Sequence, residues 1–472
     1  MTLLILIVLF LKLPDFIYLF QIKEYRFDRF FNFIKEEGFW RIFYRRMIRL
    51  PARKLRNVGI LIASSVVVML ILINIFYLPF IYQAIIFLIS PIIAFLICSL
   101  MIFLTNIAAY FYREFIILKA GKLVKSSKVI FIAITGSYGK TSVKEFLYQI
   151  LSAKYRVAKT EANMNTDIGI ALSILKNLKK DTQFFIAELG AYKIGEITKA
   201  CKIMNLKYGI LTGIGNQHLG LFGTKENLIK AKAELFQALP NNGIAYINKD
   251  AIKDNQLLSY ISCQKKLYSI TDLTDIYAQD ISYINNQLQA KIYYQQGSLE
   301  IKTKLIGLHN LLNLLPCIAL ALDLKLSKKD AVEAIRKIKN ISARLSIEKG
   351  INSSTILNDS YNSNVNGFLA AIDAAQSLNN KKKIIVSRGI IELGKEKERS
   401  YKKIIERLNS SDSTLLTTDL LFKKYDEQNK VTVFDNESNL WQYLQTIINK
   451  NSFIVIEGKF PLWFNELLMP KQ

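Results

Sequence analysis

The sequence predicts an α/β protein: N-terminal transmembrane helices, then a central phosphate-loop (P-loop) domain on a mainly parallel sheet, then a Rossmann-like C-terminal domain. Three observations predict it. Long uncharged apolar stretches are confined to the first hundred or so residues. A β-branched run, a glycine loop and an amphipathic segment follow one another from Lys128. Beyond about Ser342, short apolar runs alternate with helical stretches. At 472 residues the chain exceeds one ordinary domain, and its organisation reads as 1–120, 121–340 and 341–472.

The apolar stretches come first. Thr2–Phe20 is interrupted by Lys12, Pro14 and Asp15, whereas Val58–Tyr77 and roughly Ala84–Phe111 contain no charge. The last two meet the need for about 20 apolar residues to cross a bilayer. Thr2–Phe20 lacks a basic leader and a small-x-small cleavage pattern, so it reads as a span or as a re-entrant or tilted helix. The segment between the first two stretches is rich in lysine and arginine, and the YLPFIYQ connection after the second has neither. The positive-inside rule therefore puts the basic segment, and the chain after the third span, in the cytoplasm, with a multi-pass anchor in the membrane. Phe27, Phe30, Phe31, Ile34, Trp40 and Phe43 suit an interfacial amphipathic helix; a solvated basic loop is the other reading.

The net charge of +25 calls for a polyanionic partner or surface. The lysines are scattered, with no zinc-finger spacing, RNP-like motif or basic helix, which argues against nucleic acid. Cys98, Cys201, Cys263 and Cys317 show no CxxC pairing and read as buried residues of a reducing compartment.

The glycine loop carries the chemistry. Lys128–Thr135 reads as a buried strand, GSYGKTS follows, and KEFLYQILSAK is spaced for one helical face. Gly136 and Gly139 allow the backbone close to phosphates, with Ser137 and Tyr138 between them, and the helix start adds its dipole. Lys140 would reach β/γ-phosphates, and Thr141 or Ser142 would hold Mg²⁺. Ile134 stands where the general pattern has glycine, so a plain turn with a solvated lysine is the competing reading.

TGSYGKTS is the form found in Mur ligases, and further segments resemble that family in order: Asn163–Gly169 (NMNTDIG), Ala187–Ile197 (AELGAYKIGEI), Thr212–Leu235, Gly307–Asn313 (GLHNLLN), Arg344 in ARL, Asn358–Asn364 (NDSYNSN) and IIELG at Glu392–Gly394. DSYNSN and NMNTDIG resemble the MurF branch. The resemblance implies an ATP-dependent amide-bond ligase of peptidoglycan precursor synthesis that adds D-alanyl-D-alanine to UDP-muramyl-tripeptide through an acyl phosphate. It implies ATP and Mg²⁺ as cofactors and other membrane-associated cell-wall enzymes as partners. It assigns Thr141 and Glu188 to one Mg²⁺ and His218 to a second. Lys232 aligns with a lysine that is carbamylated in several members; the alternative is a charged residue of an ordinary helix. Asn310 and Asn313 would read adenine, Arg344 and Asp359 the ribose and phosphates, and Asn163, Asn165, Asn362 and Asn364 would face substrate. His309 reads as a packing residue.

Four departures stand out. A membrane segment occupies the place of the family's UDP-sugar-binding domain, Val365 replaces a proline, Gly389 replaces the acidic residue of GDMAELG, and IEGKFPL replaces a KGSR-like segment. The other readings are a membrane-tethered Mur-type ligase with a lipid-linked or polyglutamate acceptor, and a non-catalytic cell-wall scaffold. A transporter is disfavoured, because only Lys12 and Asp15 lie charged within the spans and no ABC-type signature follows the loop.

Overall fold

A computed structural model describes the chain except residues 45–48, 216–221, 253–255, 285–286, 296, 306, 340–345, 361–362, 364, 377–381, 391–392, 394–395 and 471–472. It divides into two units, Met1–Ile116 and Ile117–Gln472.

In the first unit, three helices are long and apolar enough to cross a membrane: α1 (Thr2–Ile22), α4 (Leu55–Phe76) and α5 (Phe80–Lys125). The third runs well past the Ala84–Phe111 stretch, because its C-terminal turns continue through residues with high helix propensity up to Lys125. Pro14 sits inside α1 without ending it, and Lys12 pairs with the buried Asp15 at 3.9 Å. Between α1 and α4 lie α2 (Phe27–Glu37) and α3 (Phe39–Phe43), so much of the basic segment is helical. Of its aromatics, Phe30 and Phe43 turn inward while Phe31 and Trp40 stay exposed; Phe30 stacks on Phe20 at 4.1 Å and on Phe95 at 5.5 Å. Such stacking fixes the helix by more than burial alone.

The second unit holds two sheets. The first has the order β2-β3-β1-β4-β5-β6-β7-β8-β9. Its strands are β1 (Ile130–Thr135), β2 (Val157–Lys159), β3 (Phe184–Glu188), β4 (Leu206–Leu211), β5 (Ile244–Asn248), β6 (Gln264–Ser269), β7 (Ile276–Ile284), β8 (Gln287–Tyr294) and β9 (Gly297–Thr303). Pairing is parallel from β2 across to β7, and antiparallel for β7-β8-β9. This meander at the edge adds to the mainly parallel sheet that the sequence predicts. The parallel part needs crossovers, and these carry α6 (Lys140–Leu151), α7 (Asp167–Asn177), α8 (Glu196–Cys201) and α9 (Lys225–Gln237). After a single turn α10 (Gln256–Ser259) and the meander come α11 (Leu308–Asp323) and α12 (Lys328–Arg336). Val143, Leu147, Leu314 and Ile318 join Ile132 and Ile186 in one core, packing α6 and α11 onto the sheet.

The far end of α11 is fixed by a buried polar cluster. Lys266 on β6 donates to Asp323 at 2.7 and 2.8 Å, and Tyr246 and Tyr294 donate to the same carboxylate. A buried ion pair is sustained only when its remaining lone pairs are satisfied, and the two tyrosines do that here.

The second sheet, of order β10-β11-β15-β12-β13-β14, contains β10 (Ser346–Lys349), β11 (Thr355–Asp359), β12 (Lys382–Ser387), β13 (Thr414–Thr417), β14 (Val431–Val433) and β15 (Ser452–Glu457). All but β10 pair parallel. Helices Val365–Gln376, Lys397–Asn409, Glu437–Ile447 and Leu462–Leu468 complete this Rossmann-like layer arrangement. Free cysteines Cys98, Cys201, Cys263 and Cys317 are all buried.

Candidate active site

Parallel strands end in loops at their carboxyl edge, where ligands of open α/β sheets bind. β1 ends at Thr135, and residues 136–139 turn directly into α6. Gly136 (φ +152°) and Gly139 (φ +77°) take backbone angles that side chains resist. The loop is clasped from below by the segment after β4. Ser137 N donates to Gly213 O at 2.8 Å, and Thr212 Oγ1 donates to Tyr138 O. The Tyr138 ring lies over Gly213 and Gly215, so neither position has room for a side chain while the ring stays there. Lys140 Nζ reaches back to Gly136 O at 2.7 Å and Ser137 O at 3.4 Å, holding its charge at the mouth of the loop. Ser142 is buried one turn into α6.

Register brings the acidic residue in. Ile134 on β1 pairs with Glu188 on β3, so the Glu188 carboxylate emerges beside the loop. Thr141 Oγ1 donates to Glu188 Oε2 at 2.8 Å, and Asn165 Nδ2 lies 3.5 Å from Oε1. Asn165 O also accepts from Gly190 N at 2.8 Å, which ties NMNTDIG to the ELG turn. Asn163 sits nearby in the same segment in a left-handed conformation (φ +63°).

Sequence reasoning missed Lys144. It is 1% exposed, and its Nζ stands 3.4 Å from Glu188 Oε2 and 3.7 Å from Glu145 Oε1. Lys140, Thr141 and Lys144 share one face of α6 by their three- and four-residue spacing, which is the signal that could have found it.

Lys232 on α9 is 3% exposed. Burial, and then the nearby Lys140 charge, push its ammonium down to about 7, with Glu196 and Glu234 opposing. Glu234 itself accepts from Thr198 N at 2.9 Å and from Gly195 N, fixing α8 against α9. Asn310 and Asn313 are both buried on α11. Asn313 Oδ1 lies so close to Gly139 that a methyl group there would come within 2.7 Å of it. His309 covers Gly307, and burial pushes its imidazole down to about 4, leaving it uncharged. Asp359 ends β11 in the other sheet. His218, Arg344, Asn362 and Asn364 lie outside the described residues. Among the described residues, no group of three or more His, Cys, Asp or Glu forms a metal cage.

These contacts predict the effect of one methyl group. Gly139→Ala meets both the positive φ and Asn313, so the loop shifts; at about 1.4 kcal/mol this weakens ATP binding about tenfold. Titration with a fluorescent ATP analogue measures it.

A strand, glycine turn and lysine-threonine helix start on a parallel sheet define a P-loop α/β protein. Residues 134–321 match the Mur ligase middle domain, and residues 343–460 match the Mur ligase, glutamate ligase domain. The chain belongs to the Mur ligase family. It is 30% identical over 273 residues to the UDP-N-acetylmuramoyl-tripeptide–D-alanyl-D-alanine ligase of Bacillus subtilis, covering 57% of this chain and 58% of that one. It is 29% identical to the protein of the same name in Borreliella burgdorferi, covering 72% and 74%. Thus the chain spans about three fifths of the length of some curated relatives it matches. The fold is that of MurF from Thermotoga maritima, solved with ADP (TM-score 0.66, 23% identity, 75% of this chain and 82% of that one). MurF from Acinetobacter baumannii gives the same TM-score at 24% identity, covering 74% and 78%.

Proposed function

We propose that the chain is a membrane-anchored, ATP-dependent ligase that joins D-alanyl-D-alanine to UDP-N-acetylmuramoyl-tripeptide. The observation that carries this reading is the Thr141–Glu188 pair at the foot of the phosphate loop, within a chain whose relatives bear that activity's name. Residues 1–120 act as the anchor, 121–340 bind ATP, and 341–472 form the closing C-terminal domain. The anchor sits in the bacterial cytoplasmic membrane with the catalytic part in the cytoplasm, near other membrane-associated cell-wall enzymes.

The reaction gathers a triphosphate and a substrate carboxylate, so like charges must be neutralised where they meet. The Gly136–Gly139 amides and Lys140 hold the β/γ-phosphates. Asn310 and Asn313 read adenine, while Arg344 and Asp359 hold the ribose and phosphates. Asn163, Asn165, Asn362 and Asn364 line the substrates. Thr141 and Glu188 are hard oxygen donors already in contact, a set that fits Mg²⁺. His218 and Lys232, the latter as a carbamate, complete the metal-binding side; Mg²⁺ there would offset the phosphate charge.

The test is ADP release by the detergent-solubilised full-length protein, with each substrate omitted in turn and ATP-free reactions as the blank. Turnover requiring both UDP-muramyl-tripeptide and D-alanyl-D-alanine is expected; binding of ATP with silence toward every amine and acceptor would overturn it. A second reading, action on a lipid-linked acceptor, is favoured by the three helices long and apolar enough to cross a membrane, the last of which precedes the middle domain in the chain. It requires faster turnover of the lipid-linked acceptor than of the UDP-linked one.

A further inference from the structure

In the first unit, a cation is built into the level where the apolar helices end. The 22 residues of α4 rise about 33 Å, close to the depth of a bilayer's hydrocarbon core. Arg56, in its first turn, therefore stands at the basic, cytoplasmic end of the span. The Tyr25 ring lies 3.9 Å from the Arg56 guanidinium carbon. Arg56 Nη2 donates to Asn106 Oδ1 at 2.6 Å and to Thr105 Oγ1 at 3.1 Å, both on α5. Asn106 Nδ2 in turn donates to Tyr25 O at 3.3 Å. Next to it, the buried Asn57 accepts from the Tyr25 hydroxyl at 2.5 Å and donates to Gln21 Oε1 and Ala52 O, each at 2.8 Å. Arg56 Nε is enclosed and has no hydrogen-bond partner among the described residues. The guanidinium is thus packed in place, and both its hydrogen bonds leave from Nη2, so Nη1 keeps its N–H groups for a ligand.

Every group in this clamp is neutral except Arg56 itself. Other arginines of the unit meet acids: Arg26 meets Asp28 at 2.6 Å, Arg29 meets Glu24 at 2.9 Å and Arg41 meets Glu37 at 3.1 Å. Arg56 has only the neutral partners above among the described residues. The sequence between Glu37 and Glu114 explains why, since it holds eight lysines and arginines and no acid. A guanidinium stays charged at any working pH, and a half-buried charge is costly until an anion answers it. At the cytoplasmic face of a bilayer the anions at hand are lipid phosphates.

We propose that Arg56, held by Tyr25, Thr105 and Asn106, seats the phosphodiester of an anionic glycerophospholipid; this rests on the anchor reading above and not on the ligase reading. Nη1 donates to a phosphate oxygen, a charge-assisted bond of the strong kind. Arg53 and Lys54, exposed just before α4, add positive charge close by in the chain. A zwitterionic head group suits the seat less well, because its phosphate already carries a cation of its own. A soluble phosphate suits it less well too. Ile62, Val66 and Leu70 are exposed further along α4, and acyl chains cover such side chains where a free anion does not. The seat thus selects the charge of the lipid that surrounds the anchor.

The test is native mass spectrometry of the full-length protein in neutral detergent. Protein stripped of co-purified lipid is titrated with dioctanoyl-phosphatidylglycerol, dioctanoyl-phosphatidylcholine and glycerol 3-phosphate, and bound copies are counted. One phosphatidylglycerol is expected to bind about tenfold more tightly than either of the others. Arg56→Gln should abolish that preference, with an unchanged melting temperature as evidence of folding. The double variant Arg53→Gln, Lys54→Gln should keep it, because those side chains only add to the surrounding charge. Equal binding of phosphatidylglycerol and phosphatidylcholine by the unmodified protein overturns the seat. Equal binding of glycerol 3-phosphate overturns the lipid as its occupant. Both comparisons decide the matter even where Arg56→Gln fails to fold. A loss in the double variant as large as in Arg56→Gln overturns the seat in favour of diffuse attraction. Protein that stays in solution without detergent overturns the anchor and the seat together, whereas a detergent-requiring protein with no lipid preference overturns the seat alone.

Discussion

Lys232→Arg lowers turnover about 10³-fold at every pH, the scale on which loss of a preorganised electrostatic group acts. The reason lies in the proton balance of a buried amine. Burial and Lys140 hold the Lys232 ammonium near 7, so its neutral fraction grows as pH rises through that value. Only the neutral amine combines with CO₂, giving a carbamate and a proton. The product is an anion beside Lys140, which stabilises it for the same reason that it disfavours the ammonium. A guanidinium stays charged throughout and cannot make this exchange. The unmodified enzyme should therefore be stimulated by bicarbonate, more at pH 8 than at pH 6.5, and Lys232→Arg should not respond. Steady-state rates with and without added bicarbonate measure it, and full activity of the arginine variant would remove the carbamate from the site.

The second large effect is expected at Lys144. Lys144→Met removes the ammonium 3.4 Å from the buried Glu188 carboxylate, costing about 3–5 kcal/mol of stability. Glu188 then takes up a proton and ceases to be an anionic acceptor for the Thr141 hydroxyl, and turnover falls about 10²-fold. The double variant Lys144→Met, Glu188→Gln removes both charges and recovers much of the stability while staying inactive. A melting temperature of the double variant well above that of Lys144→Met establishes the coupling. Strictly additive losses would show that the 3.4 Å contact carries no energy.

How much of this was legible in the sequence depends on how local the signal is. Strand, glycine loop and helix are contiguous, so β1, residues 136–139 and α6 were readable, as were the strands from Thr355 to Glu457. Glu188 and Asn165 were read through resemblance; register places Glu188 beside Thr141, and Asn165 meets the Glu188 carboxylate. Lys144 escaped because a lysine in an amphipathic helix ordinarily faces water; only the strand behind α6 makes its position an inside one. The β7-β8-β9 meander escaped as well. β8 alternates partly exposed and buried residues as a strand should, but its role as an antiparallel edge is set by partners rather than by its own residues. The Lys266–Asp323 pair, 57 positions apart, is a purely tertiary fact.

The distribution of the buried cysteines has a practical consequence. Cys201 and Cys317 lie in or beside the core of the first sheet, where burial pushes both thiols far up, Cys201 to about 12. Thiolate is the reactive form, so alkylating reagents are excluded twice, by packing and by protonation. Cys98 lies in the other unit, and the C-terminal sheet has no cysteine at all. Timed maleimide capture followed by peptide mapping would then clock the opening of the helical unit and of the nucleotide domain separately in one sample. The chain carries its own site-resolved record of which part loosens first under heat, detergent or loss of ATP.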